Sequence, residues 1–72
     1  MSFINYINDL RIDYLIERLK AETLLRKYTN GALASEAGFS TAQHFVNAFK
    51  KRAGMPPGYF IDGLNNLNIS LE

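Results

Sequence analysis

A single glycine, Gly38, constrains this chain more than any other residue. It stands inside AGFSTAQHFVNAFKKRAG, residues 37–54, between two runs whose apolar positions repeat with helical period. Glycine takes the left-handed backbone conformation without steric cost, so it ends a helix and lets the next one leave at a new angle. Ala34, four residues earlier, is small enough for two helices to cross closely. Ala-x-x-x-Gly spacing by itself is common. Its surroundings are more specific: a short helix, a tight turn, a longer helix and a basic end, which is the order of a helix-turn-helix.

The other elements follow from periodicity and punctuation. Residues 3–20 read as one long amphipathic helix, with Phe3, Ile7, Leu10, Tyr14 and Leu15 at helical spacing and Ser2 as its cap. Residues 21–28 form a connector with a partial helical turn, in which Leu24 and Leu25 pack inward. Thr29 caps a short helix over 30–37, where Gly31 costs up to about 1 kcal/mol relative to alanine. Ser40 or Thr41 caps a third helix over 41–53, which Gly54 stops. Pro57 suits the first position of a last helix over 57–66, and Asn and Gly soften the chain from Gly63 onward. No segment alternates with the period of a strand. The expectation is an all-α single domain of four helices, with a linker helix and connector over 3–28 and a helix-turn-helix with its closing helix over 29–66. Met1-Ser2 and Leu71-Glu72 read as cloning remnants.

Composition closes off several kinds of chemistry. The chain has 72 residues and no cysteine, so disulfides, thiolate metal sites and cysteine nucleophiles are excluded. It has one histidine, His44, without the partners a metal site requires. Asp9, Asp13 and Glu17 repeat every four residues on one side of the long helix, where a solvated face with arginine neighbours is the simpler reading than acid–base catalysis. No glycine pattern cradles phosphate. Neither an enzyme nor a cofactor is expected. No apolar run approaches the roughly 20 residues of a membrane span, and the N-terminus lacks the pattern of a signal peptide; a cytoplasmic location is expected.

Net charge is only +1, but it is unevenly distributed. Residues 26–53 carry a net +4 while the flanking segments are net acidic, which favours an anionic partner around the Gly38 turn. At about 100° per residue, Ala42, Phe45, Ala48 and Phe49 share one face of the third helix. Ser40, Gln43, His44, Asn47 and Lys51 gather on the opposite one, with Lys50 at its edge. Amides followed by cations suit a DNA major groove, since Gln and Asn bond the adenine edge and Lys neutralises phosphate. Gln43 and Asn47 are the expected base readers, supported by Ala42 and His44. Ser40, Thr41, Lys50 and Lys51 are the expected backbone contacts, joined by Arg26, Lys27 and Thr29 at the start of the second helix. Arg52 falls toward the buried face and lays its stem over it. Arg11 holds the long helix in place through a salt bridge or carbonyl contacts. Phe45, Phe49, Tyr59 and Phe60 are expected in the core.

LRIDYLIERL followed by ALASEAGFSTAQHFVNAFKKRAGMPPGYF resembles the C-terminal half of the AraC/XylS-type DNA-binding domain. The resemblance rests on Arg11-Ile12, Leu33-Ala34, Gly38-Phe39-Ser40, Phe45, Phe49-Lys50-Lys51, Gly54, Pro57 and Phe60, and covers roughly residues 3–61. It implies a linker helix and the second of two helix-turn-helix units, within a longer bacterial transcription regulator. The first unit and a sensor or signalling domain would lie upstream, double-stranded DNA would be the partner, and RNA polymerase a further contact. This chain departs from the family pattern at Asn47 and Ile61, where arginine is usual, and at Arg18, where an apolar residue is usual. A helical protein-interaction module with no direct base readout is the alternative.

Overall fold

The computed structural model describes residues 3–70, with side-chain surroundings through Asn66. The terminal pairs read as cloning remnants, and Ser2 as a cap, lie outside the described residues. Helix α1 spans Phe3–Ala21, a 3₁₀ turn spans Thr23–Lys27, and α2 (Asn30–Ala37), α3 (Ala42–Ala53) and α4 (Pro57–Ser70) follow. There is no strand among the described residues, and no helix is long and apolar enough to cross a membrane. The fold is all-α with four helices, as the periodicity indicates.

The turn at Gly38 is a Schellman motif. Gly38 has φ 88° and ψ 20°; its N–H donates to Ser35 O at 3.2 Å, and Phe39 N–H donates to Ala34 O at 2.8 Å. These two bonds satisfy carbonyls that the end of α2 would otherwise leave open. Phe39, just past the glycine, is buried together with Ala34, which supplies the apolar contact that accompanies the motif. Gly54 ends α3 in the same backbone region, with φ 79°, and donates to Lys50 O at 2.9 Å. Thr29 and Thr41 cap the starts of α2 and α3, each accepting a backbone N–H at 3.1 Å. Ser40 is therefore not the cap, and α3 begins at Ala42.

Packing selects among the apolar positions. The core is built from Ile12, Leu15 and Leu19 of α1, Leu25, the buried residues of α2, Phe39, Phe45, Phe49 and Ile61. On α1 the inward line is thus Ile12, Leu15, Ile16 and Leu19, at i, i+3, i+4 and i+7. Of the line expected at Phe3, Ile7, Leu10, Tyr14 and Leu15, only Leu15 is fully buried; Phe3, Leu10 and Tyr14 are exposed. The helix carries two apolar stripes, and α2 and α3 cover only the later one. Leu24 points to solvent, with 71% of its surface exposed, while Leu25 beside it is buried; the 3₁₀ turn sends neighbouring side chains apart. Tyr59, expected in the core, is 70% exposed. The inward line of α4 is Pro57, Phe60, Ile61 and Leu64, and Tyr59 lies off it. This helix also continues through Gly63 to Ser70 instead of softening there.

The glycines at positions 38 and 63 should respond to alanine in opposite directions. A Cβ at Gly38 would meet Arg11 at an ordinary 3.6 Å, so Gly38→Ala is opposed by its positive φ alone and should cost about 1–2 kcal/mol. Gly63 sits within α4 with nothing near the added Cβ, so Gly63→Ala should gain about 0.5–1 kcal/mol. Denaturant unfolding of both variants reads the sign directly.

Candidate nucleic-acid interface

The roll of α3 about its own axis is set by two rings. Phe45 and Phe49 are fully buried, at 0% exposure, and each contributes about 1.5–3 kcal/mol through burial alone. Their rings meet edge to face with centroids 5.8 Å apart. With those positions turned inward, Gln43, His44, Asn47, Lys50 and Lys51 are exposed on the outer face and Ala42 is half-buried at its margin. Ser40 and Thr41 are exposed at the start of the helix. The structure thus brings together the positions expected to read bases and those expected to hold the backbone on either end of α3.

Gln43 Nε2 donates to Asn47 Oδ1 at 3.0 Å, so the two amides are aligned one turn apart. Gln43 keeps its carbonyl oxygen and second amide hydrogen free for an outside partner, and Asn47 keeps its NH₂ group. His44 lies edge-on to Phe39, with centroids 5.1 Å apart. Lys50 and Lys51 occupy the last turn of α3, where the helix dipole favours cations.

Internal partners separate Arg18, Lys20, Arg26 and Arg52 from these lysines. Arg18 joins Glu22, just past the end of α1, at 3.0 Å and Glu36 of α2 at 2.7 Å. Its departure from an apolar family residue therefore ties α1 to α2. Hydrogen bonding by Arg18 holds the Glu22 carboxyl below the usual range. Lys20 pairs with Glu17 at 3.3 Å. Arg52 grips Asp13 with two bonds of 2.9 Å and approaches Asp9 at 3.7 Å. It is an exposed bridge from α3 to α1, not a stem lying over the apolar face, and its hydrogen bonds hold the Asp13 carboxyl below its usual value of 3.8.

The place of Arg26 in the basic segment predicts a phosphate contact, but the side chain is buried, at 9% exposure. Nε donates to Leu19 O at 2.8 Å, Nη2 to Lys20 O at 3.1 Å and Nη1 to Asn65 Oδ1 at 3.3 Å. The guanidinium thereby satisfies carbonyls at the end of α1 and links them to α4. An arginine a few residues past a helix end was the available signal. Lys27 and Thr29 remain exposed, although Thr29 Oγ1 is engaged as a cap. Among the described residues Arg11 makes neither the salt bridge nor the carbonyl contacts expected of it; its guanidinium carbon lies 5.7 Å from the centre of the Phe39 ring.

Two measurements check this division of the cations. Arg26→Met removes the donor to the buried Leu19 carbonyl and to the part-buried Lys20 carbonyl, so unfolding free energy should fall by about 2 kcal/mol, with no change in the salt dependence of any anion binding. Asp13 has a depressed folded pKa, so its pairing stabilises above the unfolded value and is lost as pH falls through the folded one. Thermal unfolding followed downward from pH 5 should therefore decline less steeply in Asp13→Asn than in the parent.

A family model described as a helix-turn-helix domain matches residues 1–62. No curated protein and no solved structure matches the chain significantly. The match spans α1, the 3₁₀ turn, both helices flanking Gly38 and the first part of α4, and it agrees with the buried phenylalanines and the glycine turn: the chain belongs to the AraC-type helix-turn-helix DNA-binding domain family.

Proposed function

We propose that this chain binds double-stranded DNA sequence-specifically as part of a bacterial, cytoplasmic AraC-type transcription regulator, with α3 in the major groove. The observation that carries the reading is the outer face of α3. Aligned amides at Gln43 and Asn47 and lysines at 50 and 51 share one exposed surface, on a helix whose roll two buried rings hold. Gln43 and Asn47 read base edges, with Ala42 and His44 beside them. Ser40, Thr41, Lys50 and Lys51 meet backbone phosphates, and Lys27 and Thr29 add contacts from the start of α2. Arg26 has no part in this, because its donors are engaged inside the fold. The proposed role is recognition, without catalysis.

A protein-interaction module is the second reading, and one observation favours a protein contact: Phe3, Leu10 and Tyr14 on α1 stand in solvent. We place that contact alongside DNA binding. The stripe is a face that an upstream helix-turn-helix unit of the same regulator would cover, with a sensor or signalling domain beyond it. RNA polymerase is the alternative occupant of the interaction-module reading.

Salt dependence separates the two readings. A protein neutralising Z phosphates on duplex DNA loses affinity with a log–log slope near −0.9Z, whereas an uncharged protein contact gives a much flatter line. Gln43→Ala should cost about 1–3 kcal/mol on the preferred duplex and far less on a scrambled one; equal losses would contradict base readout. Lys50→Ala should weaken all duplexes alike and reduce the slope by about one contact.

A further inference from the structure

Arg11 differs from the other arginines in having no carboxylate or carbonyl partner among the described residues. Arg18 and Arg52 are each bonded to carboxylates, and Arg26 to backbone carbonyls. Among the described residues Arg11 has no acidic partner. Its guanidinium lies over the Phe39 ring at 5.7 Å, and its Nε is 3.6 Å from where a Cβ on Gly38 would stand. The side chain is exposed and rests on the turn between α2 and α3, directly before Ser40 and Thr41. The Phe39 ring also meets His44, on the outer face of α3, edge to face. A cation held by a ring retains its charge and most of its N–H donors, while its side-chain freedom is already reduced. This is an arrangement for meeting an outside anion, not for stabilising the fold through a salt bridge.

We infer that Arg11, reaching from α1, is a backbone-phosphate contact of the same DNA interface, positioned by Phe39 at the end of α3 opposite Lys50 and Lys51. The inference rests on the DNA-binding reading of α3 and adds a second element of the fold to it. From Ala42 to Lys50 the helix rises about 12 Å, at about 1.5 Å per residue. The B-DNA major groove is also about 12 Å wide, so cations at the two ends of α3 can address phosphates on opposite sides of one groove.

The test uses the full chain and a short mixed-sequence DNA duplex, titrated at several salt concentrations. Arg11→Gln should shift the log–log slope by about 0.9 toward zero and weaken preferred and scrambled duplexes by the same factor, while Arg11→Lys should keep the parent slope. An unchanged slope in Arg11→Gln overturns the inference and leaves the α3 reading standing. A flat slope in the parent chain overturns both. Nuclear magnetic resonance of the parent supplies a measurement that needs no variant. The Arg11 Nε–H resonance should move on adding duplex, whereas those of Arg18 and Arg52 should stay near their free positions; a stationary Arg11 resonance overturns the inference even if Arg11→Gln fails to fold.

Discussion

A row of phenylalanine rings organises the molecule. Phe39 meets Phe45 with centroids 5.9 Å apart, Phe45 meets Phe49 at 5.8 Å, and Phe49 meets Phe60 at 5.6 Å. The row begins at the turn after α2, runs beneath α3 and ends in α4, so it joins the segments that would otherwise be three loosely connected helices. Edge-to-face and tilted aromatic pairs are each worth about 0.5–1.5 kcal/mol beyond the area they bury. More important than that energy is the direction it imposes. A helix of 12 residues with two inward phenylalanines one turn apart has little freedom to rotate about its axis, and residues 43, 44, 47, 50 and 51 must then face out. In a chain this small, where net stability is about 0.05–0.15 kcal/mol per residue, a row of this kind is a large share of what defines one native state.

Around this row the charges divide into two groups by partner. Arg18, Lys20, Arg26 and Arg52 are drawn into contacts that tie helices together or complete helix ends. Asp9, Asp13, Glu17, Glu22 and Glu36 are the acids engaged in those pairs. Exposed ion pairs add little stability individually. Their consequence here is a sorting of the surface: the acids of α1 neutralise basic residues inside the domain, leaving the cations around α3 available. The +1 net charge of the chain thus conceals a locally basic face, the feature relevant to an anionic partner.

Much of the fold was legible in the sequence, because the decisive signals are local. Gly38, Thr29, Thr41, Gly54 and Pro57 act through their own backbone preferences, and the 3.6-residue period of Phe45 and Phe49 has only one sensible inward direction. Less legible was anything that depends on which neighbour arrives. Helix α1 offers two apolar stripes, and periodicity could not tell that α2 and α3 cover Ile12, Leu15 and Leu19 while Phe3, Leu10 and Tyr14 stay in solvent. Leu24 and Tyr59 show the same limit, since Leu24 lies beside the buried Leu25 and Tyr59 beside the partly buried Phe60. Arg26 and Arg52 were misread because a basic run shows where positive charge lies, but not that Leu19 O or Asp13 stands within reach. The outer face of α3 needed no such knowledge, so the amides and lysines of the candidate interface could be named from the sequence.

The central claim is that the face opposite Phe45 and Phe49 meets nucleic acid. Mapping backbone amide chemical-shift changes on adding duplex DNA to the isotopically labelled chain tests it most directly. The account predicts changes concentrated from Ser40 to Lys51, largest on the side bearing Gln43 and Asn47, with α4 little affected. Changes confined to the stripe of Phe3, Leu10 and Tyr14, or none on α3 at duplex concentrations that saturate binding, would contradict it.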